Sequence, residues 1–134
     1  MGITNASRAV ISARLYGTSL AAFSSIGMGT GVTGFSAANT TLGTEVKADG
    51  TAASGVHVLP AASVTASSVT GTQTNDTAQW TGTAAIAITG TIAVTESGVF
   101  NADTNGTMLC RQTFTAVNVV SGDTLNFIWQ VKNT

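Results

Sequence analysis

Thr95-Glu96-Ser97-Gly98-Val99-Phe100-Asn101-Ala102-Asp103-Thr104-Asn105-Gly106-Thr107-Met108-Leu109 is the stretch on which the fold turns. Val99 and Phe100 end one apolar run and Met108 and Leu109 begin another. Between them lies Asn105-Gly106, two residues that tolerate positive φ and form the strongest short hairpin signal. The loop also imitates the start of a calcium-binding EF-hand loop, with oxygen-bearing side chains at alternate positions and Gly106 sixth. Its twelfth position is Gln112 instead of the bidentate Glu such loops need, and its flanks read as strands. A hairpin is therefore expected, with Glu96, Gly98, Val99, Phe100, Asn105 and Gly106 as a structural corner and Val99 and Phe100 entering the core. A carboxylate among apolar neighbours is costly to bury unless paired or hydrogen-bonded. Glu96 is expected to accept backbone N–H groups at the turn or to pair with Arg111 or Arg8, in a structural and not a catalytic role.

Working outward, apolar residues alternate with Thr and Ala on both sides of this corner. Ala78, Trp80, Gly82, Ala84, Ile86 and Ile88 fall on one face of an expected strand, and Ile92 and Val94 continue the pattern. Residues 108–120 give one or two further strands. After Ser121-Gly122-Asp123, Leu125, Phe127, Trp129 and Val131 alternate to the C-terminus. Val56 and Val58 suggest a strand that Pro60 ends or confines to an edge, and residues 64–69 another. Near the start, Thr4 or Asn5 caps a helix through Tyr16, and Gly17 stops it. Ala6, Ala9, Val10, Ala13 and Tyr16 share one helix face, with Ile11 and Leu15 nearly opposite beside Arg8. Two apolar stripes predict a helix sandwiched between its own sheet and a neighbouring subunit, so Ile11, Leu15 and Arg8 are candidate interface residues. The fold expected is a mainly β, antiparallel sandwich or barrel with one short N-terminal α-helix, forming a single domain over residues 1–134.

Composition narrows the function classes. Only 8% of the 134 residues are charged and the formal net charge is −1, against about 25% charged in ordinary domains. Hydrophobic residues make up 43%, which argues against disorder. A surface this poor in charge fits one that meets other subunits. Five Lys and Arg against six Asp and Glu give no basic footprint for nucleic acid. No apolar run approaches the ~18 residues of a membrane span, and the start lacks the features of a signal peptide. Cys110, the sole cysteine, reads as a small buried hydrophobe, consistent with a reducing cytoplasm.

Three motifs invite chemistry and fail to carry it. Gly29, Gly31 and Gly34 match the letters of a dinucleotide loop, but no βαβ context surrounds them, and flexible-loop glycines explain them. His57, the sole histidine, has no nucleophile elbow to serve and reads as an exposed or partly buried strand residue. Trp80 and Trp129 lie on apolar faces, which places them in a core instead of on a glycan-binding surface. No catalytic constellation, cofactor site or metal site is expected.

Taken together, Thr4-Asn5-Ala6-Ser7-Arg8 opening a helix, Ile26-Gly27-Met28-Gly29 within residues 23–31, residues 42–46, Thr95-Glu96-Ser97-Gly98-Val99-Phe100 and Gly106-Thr107-Met108-Leu109 resemble small virion proteins of tailed bacteriophages. They are similar to the N-terminal module of tail-collar fibre proteins, in which a helix, an I-x-x-G segment and an E-x-G-[VIL]-F motif before a hairpin occur in that order. Residues 47–74 show no match, and no fibre region follows the last strand. The resemblance implies a non-enzymatic virion subunit, made in the bacterial host cytoplasm, that binds copies of itself and the major capsid or tail proteins. The missing fibre favours a capsid decoration (cement) protein, whereas the motifs favour a tail, collar or neck location. A glycan-binding module or a virion-associated hydrolase fits the residues less well.

Overall fold

The computed structural model describes residues 2–133. It is mainly β, with antiparallel sheets and one N-terminal helix, and its sheets keep free edges instead of closing into a barrel. The largest sheet holds five strands in the order β1 (Gly2–Ile3), β8 (Met108–Val119), β7 (Ile92–Phe100), β2 (Ser25–Gly29) and β3 (Glu45–Val46). A second sheet has β5 (Thr77–Gly82) between β10 (Ile128–Lys132) and β4 (Val64–Val69). The short β6 (Ile86–Ala87) and β9 (Thr124–Leu125) pair with each other.

The helix α1 (Asn5–Leu15) begins where the sequence expects it. Thr4 is the N-cap, its side chain accepting from Ser7 N–H at 3.2 Å, and Gly17 takes φ +94° just past the end, a backbone state costly for L side chains. Buried hydroxyls fasten the helix to β8: Thr4 Oγ1 donates to the Met108 carbonyl and Ser7 Oγ to the Leu109 carbonyl.

The main core lies between the large sheets. Ile26, Met28, Val46, Val94 and Val99 of the five-stranded sheet meet Trp80 and Trp129, which face each other across β5 and β10. Each indole N–H is satisfied, Trp80 by the Phe23 carbonyl at 2.7 Å and Trp129 by Ser97 Oγ at 2.9 Å. Aromatic burial with a satisfied polar edge is among the larger stabilising contributions a small core can have. Cys110 is fully buried there, and burial pushes its thiol up to about 12.

Several elements depart from the sequence pattern. Of the glycines expected in a flexible loop, Gly29 instead ends β2, a strand buried at every position between β3 and β7, whereas Gly31 and Gly34 lie in the irregular segment after it. Residues 56–60 are irregular: Val56 and Leu59 make only isolated bridges, to Thr104 and Ile26. The run from Ala78 to Ile88 breaks into β5 and β6 at an exposed Thr83-Ala84-Ala85 turn. The C-terminal alternation holds in burial, yet Asn126 interrupts the strand because its side chain bonds the Gly82 carbonyl and the Phe127 N–H.

An irregularity in β7 decides what the opening stretch does. Val94 pairs with Val117, but Glu96 pairs with Thr113, so the ladder slips at Thr95. Before the slip the even residues Ile92 and Val94 face the main core; after it the odd residues Ser97 and Val99 do. A bulge re-aims side chains in this way. It turns Glu96, Gly98 and Phe100 to the opposite face of the sheet.

Candidate functional site

That opposite face is covered by loops rather than by another sheet, and it carries a layer of buried charge. Gly29 pairs with Glu45 on one side and with Glu96 on the other, and residues opposed in an antiparallel ladder point to the same face. The two carboxylates thus flank a glycine. A Cβ at Gly29 would lie 2.5 Å from Glu96 Oε1, one at Gly31 equally close to it, and one at Gly27 2.5 Å from Glu45 Oε1. The alternating glycines make the space in which two acids are buried. This is the physical account of the Gly-x-Gly letters.

Glu96 is wholly buried and fully satisfied. Its Oε1 accepts from the N–H groups of Gly31 (3.0 Å) and Thr44 (2.8 Å); its Oε2 accepts from Gly43 N–H (2.9 Å) and Arg111 Nε (2.7 Å). Arg111, equally buried, continues the network by donating to the carbonyls of Thr33 (2.6 Å) and Gly34 (3.2 Å) and to Asn39 Oδ1 (3.3 Å). One ion pair therefore pins the loop between β2 and β3 at both ends. Burial alone would raise the Glu96 carboxyl. The N–H groups of Thr44 and Gly43, with Arg111 and Gly31, outweigh it and hold the group below its ordinary value. Of the partners the sequence offered, Arg111 is the one engaged, and Arg8 is exposed on the helix. The N–H groups come from the distant covering loop and not from the adjacent turn.

The second charged pair was not expected from the sequence. His57 is buried in the irregular segment before Pro60, neither exposed nor partly buried on a strand. Its Nδ1 lies 2.7 Å from Glu45 Oε1 and its Nε2 2.8 Å from the Asn105 carbonyl oxygen, while the ring stacks on Phe100 at 3.8 Å. A carbonyl can only accept, so Nε2 carries hydrogen. A carboxylate at Nδ1 also calls for hydrogen, and the arrangement suits imidazolium. Burial opposes the charge. Bonds to Glu45 and Asn105, with the charges of Glu45 and Asp103, outweigh it and raise the His57 pKa. The one signal in the sequence was a second lone acid, Glu45, beside the apolar Val46 in a chain with a single histidine to match it.

The hairpin corner locks onto this pair. Asn105 and Gly106 take φ 55° and 76°, and the loop joining β7 to β8 spans residues 101–107. It is wider than a two-residue turn because its tip binds neighbours. Asp103 accepts from Ser25 Oγ and Ala61 N–H, both at 2.7 Å, and the Asp103 carbonyl accepts His57 N–H. The bonds from Ala61 N–H and Ser25 Oγ, Ala61 first, outweigh burial and lower the Asp103 pKa. Asn101 Oδ1 accepts Thr107 N–H at 2.7 Å. Asn101 Oδ1 and Asp103 Oδ1, two of the oxygens that resembled calcium ligands, are thus occupied by donors of the chain itself. Val99 and Phe100 are both buried but in different places: Val99 in the main core, Phe100 on the opposite face with Leu42 and Met108. A Cβ at Gly98 would touch the Cys110 carbonyl and Leu42.

The helix residues divide. Ile11 is half-buried against the chain's own core, whereas Leu15 is 84% exposed and Arg8 is also exposed. The expected interface side thus retains Leu15 and Arg8, and Ile11 belongs to the domain's interior.

Neither buried pair is arranged for acid–base catalysis on a substrate. Both His57 nitrogens and both Glu96 oxygens are committed to partners within the fold, and Ser25 bonds Asp103, not His57. The remaining acids serve turns: Asp49 accepts Thr51 N–H, Asp76 the N–H groups of Gly71, Thr72 and Gln73, and Asp123 that of Val120. No protein-family model, curated protein or solved structure matches the chain.

Proposed function

We infer that this chain is a non-enzymatic structural subunit of a bacteriophage virion that self-associates and binds other virion proteins, as a capsid decoration (cement) protein. The observation that carries the reading is the use of charge. Every one of the six carboxylates holds a backbone N–H group or a buried cation, and the exposed surface is left mostly with uncharged side chains. Large apolar groups stand among them: Leu15, Tyr16, Val32 and Ile128 are all more than half exposed. Such a surface suits burial against other subunits better than life as a free monomer. Leu15, Tyr16 and Leu20 fall in one exposed stretch, closed by Arg14 Nη1 donating to the Leu20 carbonyl at 2.6 Å, and this stretch is the surface for a neighbouring virion subunit.

A tail, collar or neck attachment subunit is the second reading. The motif that supports it, Glu96-x-Gly98-Val99-Phe100, puts Glu96 and Phe100 on the face of the buried charges and Val99 in the main core. Quantitative mass spectrometry of purified particles separates the two. A copy number comparable to the major capsid protein supports decoration, one matching the tail symmetry supports the collar, and absence from particles overturns both.

A further inference from the structure

The three-stranded sheet ends on β4, and that edge has unusual properties. Thr65, Ala66, Ser67 and Ser68 are exposed on both faces of the strand. Its backbone groups divide by parity. Thr83 N–H donates to the Ser63 carbonyl, and Gly82 N–H turns the other way, to the Phe127 carbonyl. With Val64 opposite Gly82, the odd residues of β4 exchange bonds with β5. The even residues, Ala66 and Ser68 above all, direct their N–H and C=O groups away from the sheet. No strand pairs with that side among the described residues.

Proteins ordinarily guard such an edge with Lys, Pro, a bulge or a covering loop. The opposite edge of the same sheet has a guard, Lys132 at the end of β10, whose ammonium reaches Thr72 Oγ1. On β4 no residue type plays that part, and the ladder to β5 runs without a bulge over six consecutive pairs. From Gly50 to Asn75 the sequence contains no Asp, Glu, Lys or Arg, so two copies of this edge meet without like-charge repulsion.

We propose that the free edge of β4 is where a second copy of this chain docks, strand against strand across a two-fold axis. This rests on the self-association reading above and supplies its surface. Antiparallel pairing of identical strands requires opposed residues to share a face. The axis must therefore pass through a residue: Ala66, setting Thr65 opposite Ser67, or Ser67, setting it opposite its own copy. Either register joins the outward groups of the even residues and merges two three-stranded sheets into one of six. Pairing β4 with the partner's β10 would instead be head-to-tail and leave an edge for further growth. Lys132 opposes it.

Sedimentation velocity of the untagged chain at micromolar concentration, with three variants, tests this. Ala66→Pro removes an N–H that faces outward while leaving the β5 ladder its bonds. The symmetry deletes two donors per dimer, so association should weaken by roughly tenfold or more. Ser68→Lys should do the same by placing charge at the edge. Trp80, which pairs with Ala66, reports through its fluorescence whether the sheet is intact. The double variant Thr65→Cys with Ser67→Cys places thiols opposite each other in both registers, at the Cα spacing of about 4.5 Å typical of non-hydrogen-bonded pairs, and Cys110 is buried away from exchange. Dimer in the wild type, its loss in Ala66→Pro or Ser68→Lys with fluorescence retained, and a covalent dimer on oxidation of the cysteine variant are the expected results. A wild-type dimer that neither edge variant weakens and that no disulfide captures overturns the β4 site, while leaving self-association standing. A monomeric wild type overturns both, and its presence in particles would then rest on contacts with other virion proteins alone.

Discussion

Two acids flank Gly29 on the same face of one sheet, and they are held in opposite ways. Glu96 has a permanent cation, Arg111, and three N–H donors, and both side chains of the ion pair are buried. Glu45 has a titratable cation, His57, and its own side chain keeps some exposure, at 12%. Glu96 clamps the loop of residues 30–44 to the sheet. The Glu45 pair clamps the hairpin corner and residues 55–61. The same device, a carboxylate in a glycine-made space, thus becomes either an unconditional lock or a pH-dependent one according to the cation supplied. Two such locks let a chain with few charges organise long loops that lack repetitive secondary structure.

The largest effect should come from separating the sealed pair. Arg111→Met leaves Glu96 charged, buried and short of a donor, and leaves the carbonyls of Thr33 and Gly34 unpaired. Removing one partner of a buried pair costs about 3–5 kcal/mol, a large part of the roughly 5–15 kcal/mol that holds a domain together. Chemical denaturation should show a much lower midpoint, with Glu96→Gln also destabilised because an amide cannot accept at four sites. If Arg111→Met melted like the wild type, the clamp would be a bystander.

Next comes the space itself. Gly29→Ala drives a methyl to 2.5 Å from both Glu96 Oε1 and the Thr44 carbonyl oxygen, and the backbone atom cannot swing away. Overpacking of this kind costs about 1–3 kcal/mol. Gly34→Ala is the matched control, since a Cβ there meets nothing within 4 Å, and its stability should stay within about 0.5 kcal/mol of the parent. Equal effects from the two substitutions would show that the glycines serve backbone freedom and not the acids.

These sites mark where the sequence can and cannot be read. The helix cap at Thr4, the stop at Gly17, the burial of Trp80 and Trp129 in the core and the mainly β class all follow from local rules of capping, alternation and burial. The interior position of Gly27 and Gly29 does not, because glycine is ambiguous: its letters suit a loop as well as a strand packed against a carboxylate. Alternation fails at Thr95, where a slip that leaves no mark in residue types reverses the parity of β7, so that Val99 and not Phe100 faces the main core. Glu96 is visible as an anomaly because its neighbours are apolar. Glu45 is hidden by the polar residues around it, and its partner His57 lies in a segment whose valines imitate a strand. A contact made by loops distant in sequence leaves no periodicity to detect.

The smallest effect, and the most direct test of the contrast between the two acids, is the pH response of the second pair. His57 is the only histidine, so the imidazole resonances of the untagged protein report it without ambiguity. Its pKa should lie above the ordinary 6.5. The sign of the linkage follows. A group whose pKa is raised by folding stabilises the native state fully below its unfolded value, and that contribution is lost as pH rises through the folded value. The lowered carboxyls, Glu96 among them, work the other way: their contribution is present above the carboxylate range and is lost as pH falls through it. The melting temperature of the wild type should therefore exceed that of His57→Gln most on the acid side of neutrality, and the gap should close as pH rises past the folded His57 value. Glu96→Gln should show no such closing gap there, since Arg111 stays charged throughout. A His57 resonance that titrates below 6.5, or a gap that widens with pH, would mean that Nδ1 faces Glu45 without a proton and that the two pairs are not the same device.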